Sequence, residues 1–238
     1  PHVDHMSFDL ARMPDRHRAA YERVTAAAPV GWRVALFGGA VRDAVLGAEP
    51  NDLDFLIEGA SRGDDVLRWL AHLSDEGRVA TTGFGGGRAT VLGVQVDAWR
   101  VEDNRLGPPQ ATIAEVLRTG VTFDVEAVAI LRHRDNRGYS VLGDGWAAFR
   151  ARVVDVPPRG ARKQQRPHAP MSFVLARAAK LALRRGFAFG PNLRELVELN
   201  AKHAYDRSVA RGGLYLTPPM SIIEVRAGLH LGIERGAT

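Results

Sequence analysis

Val34-Ala35-Leu36-Phe37-Gly38-Gly39-Ala40-Val41-Arg42-Asp43 opens as a short apolar run, breaks at two glycines and resumes as a helical turn that ends at Gly47. After the turn Ala48-Glu49-Pro50-Asn51, the run Asp52-Leu53-Asp54-Phe55-Leu56-Ile57 has the residue pattern of a second strand. Strand side chains alternate, so Asp52 and Asp54 share one face while Leu53 and Phe55 occupy the other. Two carboxylates side by side repel and call for a cation between them. Oxygen-only donors suit Mg²⁺, which binds through one or two carboxylates together with phosphate oxygens. At the glycine pair, the bared backbone of a helix start approaches a phosphate closely, and Arg42 adds a fixed positive charge. A phosphate-binding turn joined to a paired-carboxylate site points to nucleotide chemistry.

Outward from this stretch the pattern alternates between helix and strand. Residues 13–28 carry Ala19, Ala20, Val24 and Ala27 near helical spacing, which predicts a leading helix. Residues 64–73 place Val66, Leu67, Leu70 and Leu73 on one helical face, as expected of a crossover between strands. Residues 78–82, 88–92 and 94–101 read as antiparallel strands, with the glycines at 83 and 85–87 as hairpin punctuation. Asp144 before Gly145 is a turn pairing. Helices are expected over 171–187, 192–210 and 220–231. Isolated His203 and His230 read as packed or solvated residues.

The 238 residues are 45% apolar, enough for a core, and no apolar run is long enough to span a membrane. There is no cysteine, hence no disulfide and no thiolate metal site, in keeping with the cytoplasm. The net charge is +5 and all but three of the 32 basic residues are arginine, whose planar fork suits a polyanionic partner. Residues 1–5 are expected to be a vector-derived remnant ahead of a native start at Met6. The stretch 157–170, with four prolines and Arg159, Arg162, Lys163, Arg166 and His168, reads as a basic linker. The expected organisation is therefore a mixed helix-and-strand unit over 7–156, this linker, and a helical region over 171–238.

The run 37–58 resembles the signature of the head domain of class II tRNA nucleotidyltransferases and poly(A) polymerases, within the polymerase β-like nucleotidyltransferase superfamily. The spacing from the glycine pair to both aspartates fits that signature without a gap. The resemblance implies an α+β fold: a polymerase β-like nucleotidyltransferase head, with a mixed or antiparallel sheet flanked by helices, followed by a small helical region. It continues at Val96-Asp97-Ala98-Trp99-Arg100, where related proteins carry an acidic residue before a segment ending in arginine. By that likeness Asp97 supplies a third carboxylate, and Arg100 holds a nucleotide phosphate or orients a carboxylate.

Beyond this point the pattern departs from the family. Where related proteins have an Arg-Arg-Asp-Phe-Thr-x-Asn-Ala segment, this chain has Gly120 and Val121 at the arginines, Thr122 at the aspartate and Glu126 at the asparagine. Arg118 is the candidate to compensate. At the helix start that reads the base in the family, Pro170, Met171 and Val174 replace the recognition residues. The catalytic core is kept while the base reader is not, and CCA addition does not follow.

The resemblance implies a metal-dependent transfer of NMP from an NTP to an acceptor hydroxyl, with pyrophosphate released. Asp52, Asp54 and Asp97 would be the catalytic metal ligands for Mg²⁺ or Mn²⁺. Gly38, Gly39, Arg42, Arg100 and Arg118 would be the nucleotide-binding residues. The acceptor is left open between an RNA 3′ end and a small-molecule or protein hydroxyl, and a catalytically silent nucleotide- or RNA-binding head is the reading from another class. Oligomeric state is not legible.

Overall fold

A computed structural model of the chain describes residues 9–82, 85–103, 112–133, 138–156, 171–200 and 219–236. The remnant expected at 1–5, the linker expected at 157–170 and the second half of the helix expected over 192–210 lie outside the described residues. By their contacts the described residues form two compact units. One comprises 9–82, 85–103, 112–115, 128–133 and 138–143, and the other 116–127, 144–156, 171–200 and 219–236.

The first unit is built on seven strands: β1 (Arg33–Phe37), β2 (Leu53–Glu58), β3 (Ala80–Thr81), β4 (Gly87–Val91), β5 (Val94–Arg100), β6 (Ala129–Arg132) and β7 (Tyr139–Leu142). Their order is β3-β4-β5-β2-β1-β6-β7. The β2–β5 pairing is parallel and the others are antiparallel, so the sheet is mixed, as the expected α+β fold requires. Helices α1 (Asp15–Ala26), α2 (Gly39–Val45) and α3 (Gly63–Leu73) belong to this unit.

Pairing register shows which face the helices cover. A Cβ added to Gly87 would strike Leu67 of α3, so α3 lies on the face of Gly87 and of its partner Ala98. Tyr21 of α1 stacks on Phe55 with ring centroids 6.3 Å apart. Phe55 pairs with Ala98 across β2–β5, so α1 covers the same face. Alternation puts Asp54 and Asp97 on the opposite face. Helices therefore bury one side of the central strands, and the aspartates occupy the other.

The leading helix forms with a different buried stripe from the one expected. His17, Ala20, Tyr21 and Val24 are buried, whereas Ala19 and Ala27 are exposed. The spacing i, i+3, i+4, i+7 is a regular apolar stripe once histidine and tyrosine count as core residues. Burial lowers the pKa of the His17 imidazole, with the neighbouring Arg16 charge acting in the same direction. In α3 the buried face is Val66, Trp69, Leu70 and Leu73, with Leu67 half-buried. Trp69 turns inward because its ring packs edge-on to Trp32 and its Nε1–H donates to the Ala27 carbonyl at 2.9 Å.

The β4–β5 hairpin turns at Leu92 and Gly93, both with positive φ, at 50° and 70°. Both backbone N–H groups donate to the Asp75 carboxylate at 2.9 Å, which lowers that group's pKa. The glycines at 85 and 86 serve the β3–β4 turn, where Thr82 Oγ1 accepts from Gly86 N–H.

The second unit contains α5 (Trp146–Ala151), α6 (Met171–Arg185), α7 (Pro191–Leu199) and α8 (Ile222–Gly236). Helix α4 (Ile113–Thr119) contributes its C-terminal residues to it. Two short strands, β8 (Val153–Val154) and β9 (Ala188–Phe189), pair in parallel and are too brief to leave a period in the sequence. Helices α6 and α8 pack together, with Gly228 against the Ala179 carbonyl where no Cβ fits. The Asp155 carboxylate accepts from the Leu193 N–H at 2.6 Å and satisfies the first turn of α7. Glu126, nearly buried, forms an ion pair with Arg177, whose guanidinium also lies over the Phe123 and Phe173 rings. None of the described helices is long and apolar enough to cross a membrane.

Candidate functional site

One transverse row of the first unit's sheet carries the chemistry. Arg88 pairs with Asp97 across β4–β5, Asp97 with Asp54 across β5–β2, and Asp54 with Phe37 across β2–β1. Directly paired residues point to the same face, so these four side chains emerge side by side. Asp52, two residues before Asp54, joins them from the end of β2. Asp52, Asp54 and Asp97 each offer a carboxylate oxygen within 4.8 Å of the others. The three aspartates expected as ligands are thus brought together, two half-buried and Asp97 buried. The donor set is all hard oxygen, with no thiol or imidazole, and fits Mg²⁺ or Mn²⁺ rather than zinc.

Two neighbours escaped the sequence reading. Arg88 grips Asp97 with both arms of its fork, Nε to Oδ1 at 2.7 Å and Nη2 to Oδ2 at 2.5 Å. Gln95 Nε2 donates to Asp52 Oδ2 at 3.3 Å. The signal for Arg88 was present: a two-residue turn at Leu92-Gly93 sets Val91 opposite Val94, and counting back places residue 88 opposite 97. Beside the row, Trp99 meets Phe37 edge-to-face with centroids 5.3 Å apart, giving the aspartates a buried aromatic flank.

The glycine turn has the geometry its sequence implies. Gly38 caps α2 with φ 67° and ψ −127°, a conformation closed to side chains. Its N–H donates to the Val128 carbonyl at 3.0 Å, which fixes the turn to the strand region at 128. The first intrahelical bond runs from Arg42 N–H to the Gly38 carbonyl, so the amides of Gly39, Ala40 and Val41 have no partner within the helix. Arg42 is buried; its guanidinium folds over bare Gly39, and its Nε donates to Asp43 Oδ1 at 2.8 Å. Asp43 is therefore the orienting partner of Arg42.

Arg100 stands apart from the row. It lies three residues beyond Asp97 on β5, hence on the opposite face, and its fork is held by Asp103 at 2.8 and 3.0 Å. Its Nη1 also donates to the Ser61 carbonyl at 2.6 Å. Arg118 lies exposed on α4, among the residues of the second unit.

No known protein-family model matches the chain, and no curated protein matches it. Solved structures do. The Thermotoga maritima CCA-adding enzyme complexed with tRNA superposes with a TM-score of 0.67 at 16% identity, over 95% of this chain and 54% of that one. A CCA-adding enzyme in complex with CTP gives 0.68 at 17% identity, over 93% and 53%. A tRNA nucleotidyltransferase complexed with a primer tRNA and an incoming ATP analogue gives 0.63 at 21% identity, over 86% and 58%. The chain spans little more than half the length of these proteins. By this likeness the chain has the fold of the CCA-adding and tRNA nucleotidyltransferase enzymes.

Proposed function

We propose that the chain is a divalent-metal-dependent nucleotidyltransferase that transfers NMP from an NTP to an acceptor hydroxyl, an RNA 3′ end being the favoured acceptor. The observation that carries this reading is the convergence of Asp52, Asp54 and Asp97 on one row of the sheet. The shared fold with enzymes solved with CTP, an ATP analogue and tRNA supports the nucleotide and RNA classes. Residues 7–156 would form the catalytic head of a cytoplasmic enzyme, with 171–238 as its neck-like region.

In the reaction the acceptor oxygen forms a bond to the α-phosphorus, the bond from that phosphorus to the bridging oxygen breaks, and pyrophosphate leaves. Asp52, Asp54 and Asp97 would hold Mg²⁺ or Mn²⁺, which when bound supplies positive charge to the phosphates and lowers the pKa of the acceptor hydroxyl. The amides at the start of α2 and the positive end of its dipole would receive the β- and γ-phosphates. Arg42, fixed by Asp43, adds charge from a buried position that needs no reorganisation when the nucleotide arrives. Phe37 and Trp99 limit water on the flank of the aspartates, which strengthens these interactions.

The test is to incubate the protein with each labelled NTP and Mg²⁺, together with tRNA, a cell metabolite extract or neither. Label on an RNA 3′ end supports the favoured acceptor; label on a small molecule or on protein replaces it with another hydroxyl. Nucleotide binding with no transfer to any acceptor would mark a catalytically silent head and defeat the proposal.

A further inference from the structure

Three carboxylates with oxygens within 4.8 Å of one another repel, and a counter-charge beside them offsets that repulsion. Here the protein supplies one. Arg88 engages both oxygens of Asp97, and the charges of Asp52 and Asp54 add to its attraction. The Arg88 side chain is 48% exposed whereas that of Asp97 is 9% exposed, so the arginine reaches in from the rim while the aspartate belongs to the sheet. A fork bidentate on a carboxylate is among the stronger charge-assisted contacts, yet among the described residues no further hydrogen bond or ion pair confines the solvent-facing half of this guanidinium to that geometry.

We propose that Arg88 is a resident counter-ion of the carboxylate row, which competes with the divalent cation for Asp97 and so sets the protein's metal affinity. The inference rests on the reading of Asp52, Asp54 and Asp97 as metal ligands. A cation entering among the three carboxylates meets the guanidinium as a like charge, and Asp97 already has an oxygen committed to each arm of the fork. Each Asp97 oxygen keeps a further lone pair, so a metal bound through all three aspartates either shares Asp97 with the fork or exchanges with one of its arms, and in both cases the guanidinium charge opposes the cation. Arg88 is accordingly a positioning residue: it holds the Asp97 carboxylate aimed at the site while the metal is away, at a cost in metal affinity.

Mn²⁺ binding followed by the electron paramagnetic resonance of the free ion, without nucleotide, tests this. Arg88→Gln removes the competing charge and is expected to bind Mn²⁺ about tenfold more tightly. Arg88→Lys, which keeps the charge, is expected to stay near wild type. Equal affinities in wild type and Arg88→Gln would overturn the role of Arg88 and leave the metal site standing. Absence of binding in every form, or binding that survives both Asp52→Asn and Asp54→Asn, would overturn the metal reading and this inference with it. A second measurement needs no loss of the pair: in ¹⁵N-labelled wild-type protein, the Arg88 Nε–H resonance, assigned by its disappearance in Arg88→Lys, is expected to shift as Mg²⁺ saturates the site. A resonance unmoved by saturating Mg²⁺ would contradict the competition.

Discussion

Asp54 of β2 and Asp97 of β5 are direct partners across a parallel ladder, their carboxylates on the sheet face that α1 and α3 leave uncovered. Like charges placed directly opposite on a sheet destabilise it, so this pairing trades stability for a place to hold a cation. Asp54→Asn is expected to raise metal-free stability by about 0.5–1 kcal/mol, and to abolish the rise in Tm that Mg²⁺ or Mn²⁺ gives the wild type. Thermal unfolding with and without the ion checks both halves. A wild-type-like metal response in the variant would remove Asp54 from the site.

Leu92 has positive φ in the β4–β5 turn and is nearly half-exposed, so it contributes strain without compensating burial. Asparagine adopts that conformation readily. Leu92→Asn is expected to stabilise the protein by about 1 kcal/mol, measured by denaturant unfolding, with any transfer activity unchanged.

Glu126 occupies the place where the resembling family has an asparagine near the nucleotide, but in this chain it is committed to a nearly buried ion pair with Arg177. Removing one charge leaves the other poorly compensated. Glu126→Gln is expected to cost about 1–3 kcal/mol of stability, while the ratio of activities with the four NTPs stays constant. A changed ratio would make Glu126 a base-reading residue.

Asp124 offers a pH test. Burial pushes its carboxyl up to about 6, against two backbone N–H donors, Val125 and Asp155, that pull the other way. A raised folded pKa means the folded protein binds the proton more tightly than the unfolded chain. The resulting stabilisation is full below about pH 4 and is lost as pH rises through 6. Asp124→Asn keeps the accepting oxygen and cannot ionise. Compared with wild type it is expected to gain about 2 kcal/mol in relative stability between pH 4 and pH 7, read from urea unfolding at a series of pH values.

How much was legible in the sequence depends on how local the determinant is. Gly38, Asp52 and Asp54 declare themselves because a left-handed turn and a strand face are fixed by neighbours within a few residues. Asp97 needed the resemblance, since a parallel pairing with Asp54 brings together positions with a whole crossover and hairpin between them. Arg88 was recoverable only by counting register through the Leu92-Gly93 turn. Arg100 sits three residues beyond Asp97, and that odd offset places it on the other face, which strand alternation already implied. His17 and Tyr21 were missed in α1 because their polar atoms hid two of the most buried side chains of the helix.

The most direct measurement is pyrophosphate release from each α-labelled NTP with Mg²⁺ and an RNA ending in a free 3′ hydroxyl, run beside the same RNA ending in a 3′ deoxynucleotide. Wild-type protein is expected to release pyrophosphate in step with label on the RNA, only when the hydroxyl is present, and Asp52→Ala or Asp54→Ala is expected to reduce both at least 100-fold, roughly the scale of losing a principal charge-stabilising group. Transfer that persists in both variants would contradict the assignment of the aspartates as the catalytic centre.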